Sequence, residues 1–315
     1  MPFSVLLILG TILIWLLAYR FKVAESEVGI ESVTSETILR IFHSKFILSL
    51  ASLLITLFNA FLIVQINNRF TIIRTRSFIP VFIFLTVMSV VTSVHQLPGS
   101  HLALTFLLAA LFVFFDMFRN RQASEQAFLG SLLVSAGSLF IAPAVLFLPV
   151  CWIGLAQFKS LSIRTFLASI IGGLVPWIFY FSFRLYFETD YQWINSLVSD
   201  FQPGFNLLDL PLIEQIYMAL MTVYIITGLV GLISNLHGDS LQSRAYLNFL
   251  VMLMLFSFFF SVVFINEYLA FIPFVVMLFS FLLAHPFTLK PNGFYAVLFI
   301  LLVLTNLSYL IFSLM

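Results

Sequence analysis

The sequence predicts an all-α, polytopic integral membrane protein, and three observations carry that prediction. Of 315 residues, 62% are hydrophobic and only 9% charged, whereas a soluble chain of this size spreads about 25% charged residues over its surface. The apolar residues fall into runs long enough to cross a bilayer, which takes about 17–25 residues each. The few Lys and Arg residues lie between those runs and gather on alternate connections.

Taken in order, the runs predict spans near 3–19, 46–66, 78–94, 101–118, 127–141, 143–158, 165–186, 216–234, 246–265, 268–285 and 293–314, about eleven transmembrane helices in one membrane domain, 1–315. The first run, "MPFSVLLILGTILIWLLAYR", has neither a basic n-region nor an A-x-A cleavage pattern, so it reads as a retained helix. The fifth and sixth are short and share one apolar run broken by "IAPAV" around Pro143. A single helix of that length would overshoot a hydrocarbon core of about 30 Å. A proline inside it would remove a hydrogen bond and clash with the preceding turn. A short helical hairpin is expected there, with halves that do not cross fully.

Orientation follows from the basic residues of the short connections. "NNRFTIIRTRS", "RNRQASEQ", "KSLSIR", "NLHGDSLQSR" and "HPFTLKPN" fall on one side, which with its edge at Asp116 holds nine basic and three acidic residues. The opposite side holds five basic and ten acidic residues, so the amino terminus is expected inside and the carboxyl terminus outside. Trp15, Tyr19, Tyr186, Trp193 and Tyr268 stand at helix ends, where an interfacial aromatic belt is expected.

Several function classes are excluded or disfavoured on composition. Without a basic run, nucleic acid is no partner. The single cysteine, Cys151, sits in an apolar run and reads as a small hydrophobe. Ion paths and proton relays need ionisable groups at membrane depth, and the spans hold almost none. Asp116 stands at a helix edge, where pairing with Arg119 or Asn120 is expected. The five histidines are assigned to loops on both sides, and His95 and His101, which share one, lack a third ligand for zinc. The sequon at Asn306 lies within an apolar run and is discounted. No cofactor and no metal is called for.

The polar mass is concentrated in two long outer loops, 20–45 and 187–215. The first contains "TSETILRIF", which reads as a short amphipathic helix lying on the membrane, with Thr34 as N-cap and Glu36 in its first turn. The second mixes carboxylates, amides and aromatics around Pro203-Gly204 and Pro211.

In these features the chain resembles the GT-C superfamily of integral-membrane glycosyltransferases. Those enzymes take sugars from polyprenyl-phosphate donors. The likeness rests on an acidic outer loop after the first helix and a second large outer loop after the seventh. It also rests on "FLGSLLVSAGSLFIAPAVLFLPVCWIGLAQFKSLSIRTFLASIIGGLVPWIFY", which is similar to that superfamily's short helix pair, basic inner loop and following long helix. "EYLAFIPFVVMLFSFLLA" resembles one of its late helices. The chain is also similar to a family of bacterial inner-membrane proteins of about this length with no assigned activity. It departs from GT-C enzymes in having Glu-Ser-Glu where an Asp-Glu pair is common, and in lacking a soluble outer domain.

The resemblance implies a fold and roles. Glu25 or Glu27 would act as general base on an acceptor hydroxyl. Arg20, Lys22 and Arg184 would neutralise the donor's phosphate, against the alternative that they anchor in the headgroups. A polyprenyl-phosphate lipid would be the partner, on the outer face of a bacterial cytoplasmic (inner) membrane. Two other readings stay open: a non-catalytic subunit or scaffold docking cell-envelope partners through its outer loops, and a facilitator for lipid-linked intermediates.

Overall fold

The apolar runs are helical in the computed structural model, which describes residues 2–22, 44–74, 77–187, 192–204, 211–264, 268–289 and 293–314. The helices are α1 (Pro2–Lys22), α2 (Lys45–Phe70), α3 (Ile79–Val90), α4 (Pro98–Asp116), α5 (Ser124–Ser138), α6 (Phe147–Gln157), α7 (Ile163–Phe187), α8 (Gln192–Asp200), α9 (Leu212–Asn235), α10 (Leu241–Val263), α11 (Tyr268–Leu289) and α12 (Gly293–Leu314). Seven of them, α2, α4, α7, α9, α10, α11 and α12, are long and apolar enough to cross a membrane. They make the chain a multi-pass membrane protein. The stretches Leu6–Arg20, Ile79–Val90 and Ala142–Gln157 are shorter apolar helices.

Two elements differ from the sequence expectation in extent. The expected span 78–94 stops as an α-helix at Val90 and continues only as a 3-10 turn, Thr92–Val94. In the fifth and sixth runs, α5 ends at Ser138 and a 3-10 helix, Ala142–Leu146, precedes α6. Pro143 opens that 3-10 helix, where the N–H it lacks would have had no partner. The amphipathic segment around Thr34 and Glu36 lies outside the described residues.

α11 forms the centre, with 78% of its apolar window buried, whereas α7 and α12 bury 17%. The exposed faces of the peripheral helices are largely apolar, as at Ile171, Phe179, Ile300 and Phe312. Apolar faces of this extent mark contact with lipid rather than water.

Small residues let α5 and α7 approach closely. Ser131, Ser135 and Ser138 recur on one buried face of α5, and Gly172 and Gly173 are buried on α7. The Ser135 hydroxyl donates to the Gly173 carbonyl at 2.5 Å, and the Trp177 indole donates to Ser138 Oγ at 3.0 Å. Close approach through Gly and Ser with interhelical hydrogen bonds is how helices associate in lipid, where apolar surface gives no preference between neighbours. A Cβ at Gly172 would overlap the Phe128 carbonyl oxygen, whereas one at Gly10 would meet nothing. Gly172→Leu is therefore expected to destabilise by about 1–3 kcal/mol or more. Gly10→Leu is expected to leave the thermal unfolding midpoint in detergent unchanged or raised.

The helices are tied at both ends. At one end Phe70, Phe115, Phe118 and Phe158 surround Tyr246, whose ring stacks on Phe115 at 4.4 Å. The Tyr246 hydroxyl donates to the Phe115 carbonyl at 2.7 Å. Asp116 pairs there with Arg69 at 2.7 Å, not with the neighbours expected from sequence, because α2 ends beside α4. Arg74 Nε contacts Asp239 Oδ1 at 2.5 Å, and His285 Nε2 contacts Asp239 Oδ2 at 3.0 Å. The Asp239 and His285 side chains have no solvent exposure.

At the other end Trp15 is buried, not interfacial as its position at a helix end suggested. It stacks on His95 with ring centroids 3.6 Å apart, and its indole donates to Ser49. His101 contacts Thr56 through Nδ1 at 3.0 Å and the Val94 carbonyl through Nε2 at 3.1 Å. Asn59 donates to the His101 carbonyl and accepts from Thr105. His101 and His285 are thus helical rather than loop residues, His95 stays in the turn between α3 and α4, and all three are buried members of the packing.

Candidate functional site

α9 and α10 both pack on α11 but scarcely on each other, although only a short 3-10 turn separates them. Their splay leaves a cavity of about 470 Å³, within the 300–1,000 Å³ that small ligands commonly occupy. It is lined chiefly by apolar side chains, including Met218, Met221, Ile225, Ile272, Val276 and Phe279. Phe258 and Ala219, which also line it, are exposed, so it opens through the side of the bundle between α9 and α10.

The cavity begins where α9 and α11 start and α10 and α12 end, at Glu214, Tyr268, Ser261 and Tyr309. It reaches inward along α9 to Ile225 and along α11 to Phe279, about 16 Å at a rise of 1.5 Å per residue. That depth is about half a hydrocarbon core of 30 Å, or one leaflet.

Polar groups gather near the start of α9 and α11. The Tyr268 hydroxyl donates to Glu214 Oε2 at 2.6 Å, the short geometry of a hydroxyl bound to an ionised carboxylate. Tyr217 donates to Asn306 Oδ1 at 2.9 Å, and its ring stacks on Tyr309 at 4.0 Å. Thr222 and Ser261 donate to backbone carbonyls of their own helices, Met218 and Phe258. Asn306 therefore serves packing. Glu214 stands in the first turn of α9, where the helix N-terminus favours a negative charge.

The residues singled out from sequence lie elsewhere. Glu25 and Glu27 fall outside the described residues. Arg20 is exposed at the end of α1, and Lys22 is the last residue of that helix. Arg184 is half-buried near the end of α7, with its guanidinium over the Tyr180 ring at 5.5 Å. Neither Arg20 nor Arg184 lines the cavity. His95 and His101 meet through the Trp15 ring rather than as a pair of ligands. Among the described residues no group of three or more His, Cys, Asp or Glu is placed to hold a metal. Cys151 is buried.

Glu214 was visible in the sequence only as one more outer acid. A sharper signal was present in the spacing of Glu214, Met218, Met221 and Ile225, which puts a carboxylate at the head of one apolar helical stripe. What the spacing cannot show is that the facing helix stands off and leaves the stripe uncovered.

Fold and site together define the class: a multi-pass helical membrane protein with a lateral apolar cavity one leaflet deep. No family model, curated protein or solved structure matches the chain.

Proposed function

We propose that the protein handles a membrane lipid, taking an apolar chain from one leaflet into the cavity between α9 and α10. Among the readings open from sequence this is the facilitator of lipid-linked intermediates. The single observation that carries it is the cavity itself, apolar, laterally open and one leaflet deep.

On this reading the chain crosses a bacterial cytoplasmic membrane eleven times, amino terminus in and carboxyl terminus out, and the cavity opens to the outer leaflet. The end contacts support that arrangement. Arg69–Asp116 and Arg74–Asp239–His285 join segments assigned to the inner side. Tyr268–Glu214 and the bridge between Gly204 and Phe264 join segments assigned to the outer side. A GT-C-type transfer would need the same chain site together with Glu25 or Glu27 as base. The cavity speaks to the chain site alone.

The test is native mass spectrometry of the full chain released from membranes in mild detergent. A bound lipid is expected in the wild type. Ile272→Trp, which fills the cavity, should reduce its occupancy about tenfold or more, whereas Ile300→Trp on an exposed face should not. Equal retention by the wild type and Ile272→Trp would overturn the proposal.

A further inference from the structure

The cavity's charge says which headgroup it accepts. We propose that its occupant carries an uncharged or cationic headgroup that donates hydrogen bonds, an amine or a hydroxyl, and that phosphate headgroups are rejected. This rests on the lipid-handling reading of the same cavity, and it departs from the polyprenyl-phosphate partner that the resemblance implied.

Among the described residues Glu214 is the one charged residue in the lining, and no lining residue is Lys, Arg or His. The segments that build the cavity extend this. No Lys or Arg occurs in 77–97, 185–243, 245–289 or 291–315. A phosphate brought to this end would therefore meet a carboxylate, and the one cation on the described lining helices, Arg244, stands at the opposite end of α10. Phosphate recognition relies on the opposite, on Arg or Lys or on clustered N–H donors.

The hydrogen-bond inventory points the same way. Of the lining side chains that carry a donor (Ser93, Gln215, Tyr217, Thr222, Ser261, Tyr268 and Tyr309), four, Tyr217, Thr222, Ser261 and Tyr268, give their protons to partners inside the protein. Glu214 Oε2 accepts from Tyr268, and an ionised carboxylate has about four acceptor sites in all, so the group keeps acceptor capacity. A headgroup with N–H or O–H supplies a further donor to it. At the edge of a low-dielectric cavity the resulting charge-assisted bond is stronger than in water. The same low dielectric magnifies repulsion of an anion.

The experiment uses the full chain in phosphatidylcholine nanodiscs and three photoactivatable hexadecyl probes that differ only in the head: amine, alcohol and phosphate. Labelling is mapped to peptides of α9 and α11. The amine and alcohol should label Met218, Met221 or Ile272 at least about tenfold more than the phosphate does. Glu214→Gln should remove most of the amine's advantage over phosphate. Tyr268→Phe, which frees the carboxylate without removing it, should preserve that advantage and so guards against a folding defect in the first variant. Ile272→Trp should suppress labelling by all three.

Equal labelling by the three heads, with suppression by Ile272→Trp, would overturn the headgroup assignment and leave lipid occupancy standing. An amine advantage unchanged in Glu214→Gln would overturn the role of Glu214. Labelling indifferent to Ile272→Trp would overturn the lipid-handling reading itself.

Discussion

Asp239→Ala is expected to be among the most damaging single substitutions in the protein, at about 3 kcal/mol. That is the lower end for breaking a buried pair, because the carboxylate and His285 are buried while Arg74 is 43% exposed. Asp239 is wholly buried and serves two partners at once, Arg74 and His285. The structure prepares this site. A Cβ at Gly238 would overlap the Arg74 guanidinium, so glycine leaves room for it where it stands. Ser240 caps α10 by accepting from the Ser243 N–H at 3.1 Å, and Ser243 in turn donates to the Thr71 carbonyl at 3.2 Å. One carboxylate thus fastens the segment after α2, the start of α10 and the end of α11.

Without it, a buried imidazole loses its partner and a guanidinium loses its counter-charge. Asp239→Asn keeps the shape and should cost less. Asp239→Leu combined with His285→Leu should recover most of the loss, since apolar groups replace a buried polar pair at little cost. Arg69→Ala is the contrast. That pair is 58% and 42% exposed, and its loss should cost less than about 1 kcal/mol. Cys151, the one cysteine of the chain and buried, provides the measurement. A thiol-reactive dye reports unfolding as that thiol becomes accessible. An Asp239→Ala midpoint matching that of Arg69→Ala would refute the argument.

The helices were legible because their signal is local. A run of apolar residues long enough to span declares itself without knowledge of any neighbour, so α2, α7, α9 and α12 stand where the runs stand. The polar contacts were not legible, because they join residues remote in the chain. Asp239 and Arg74 are 165 residues apart, Tyr217 and Asn306 are 89 apart, and Trp15 and Ser49 are 34 apart. Asp239 and His285 lie in connections rich in polar residues, where nothing in the sequence marks a side chain as buried. Trp15 stood where a belt residue stands. In each case a residue at a helix end reads as interfacial until a second helix end is placed on top of it.

The cavity was illegible for a related reason. It is an absence of packing between α9 and α10, and each helix alone carries an apolar stripe fit to be covered. Burial by tertiary contact separates the two outcomes, and composition does not carry that information. Thr222 and Met218 on α9 would read the same in a closed bundle. The spacing does place Glu214 in register with the stripe, which is where a specificity group is needed.

Trp15→Ala is expected to be comparably severe, at about 3–5 kcal/mol, as the loss of a large buried aromatic side chain. Trp15 is 2% exposed and joins three elements. Its ring lies on His95, 3.6 Å away and nearly parallel at 12°. Its N–H reaches Ser49 of α2 at 3.0 Å. His101, one turn into α4, lies within 6.3 Å of the same ring and is itself held by Thr56 and Asn59. Removing the indole leaves a void that α1 cannot close, since its outer face, with Leu13, Leu16 and Leu17, is turned away and exposed. Trp15→Phe separates the contributions. It keeps most of the ring area and loses the hydrogen bond, so about 1 kcal/mol is expected. Thr105→Val tests the same network from α4. It removes a donor to Asn59 Oδ1 at 2.7 Å and should cost about 1–3 kcal/mol by leaving that buried acceptor unpaired. In the dye assay the order of midpoints should run from Trp15→Ala, the lowest, to Trp15→Phe near wild type. If Trp15→Ala unfolds with the wild type, then α1 is held by its lipid-facing length alone and not by this contact.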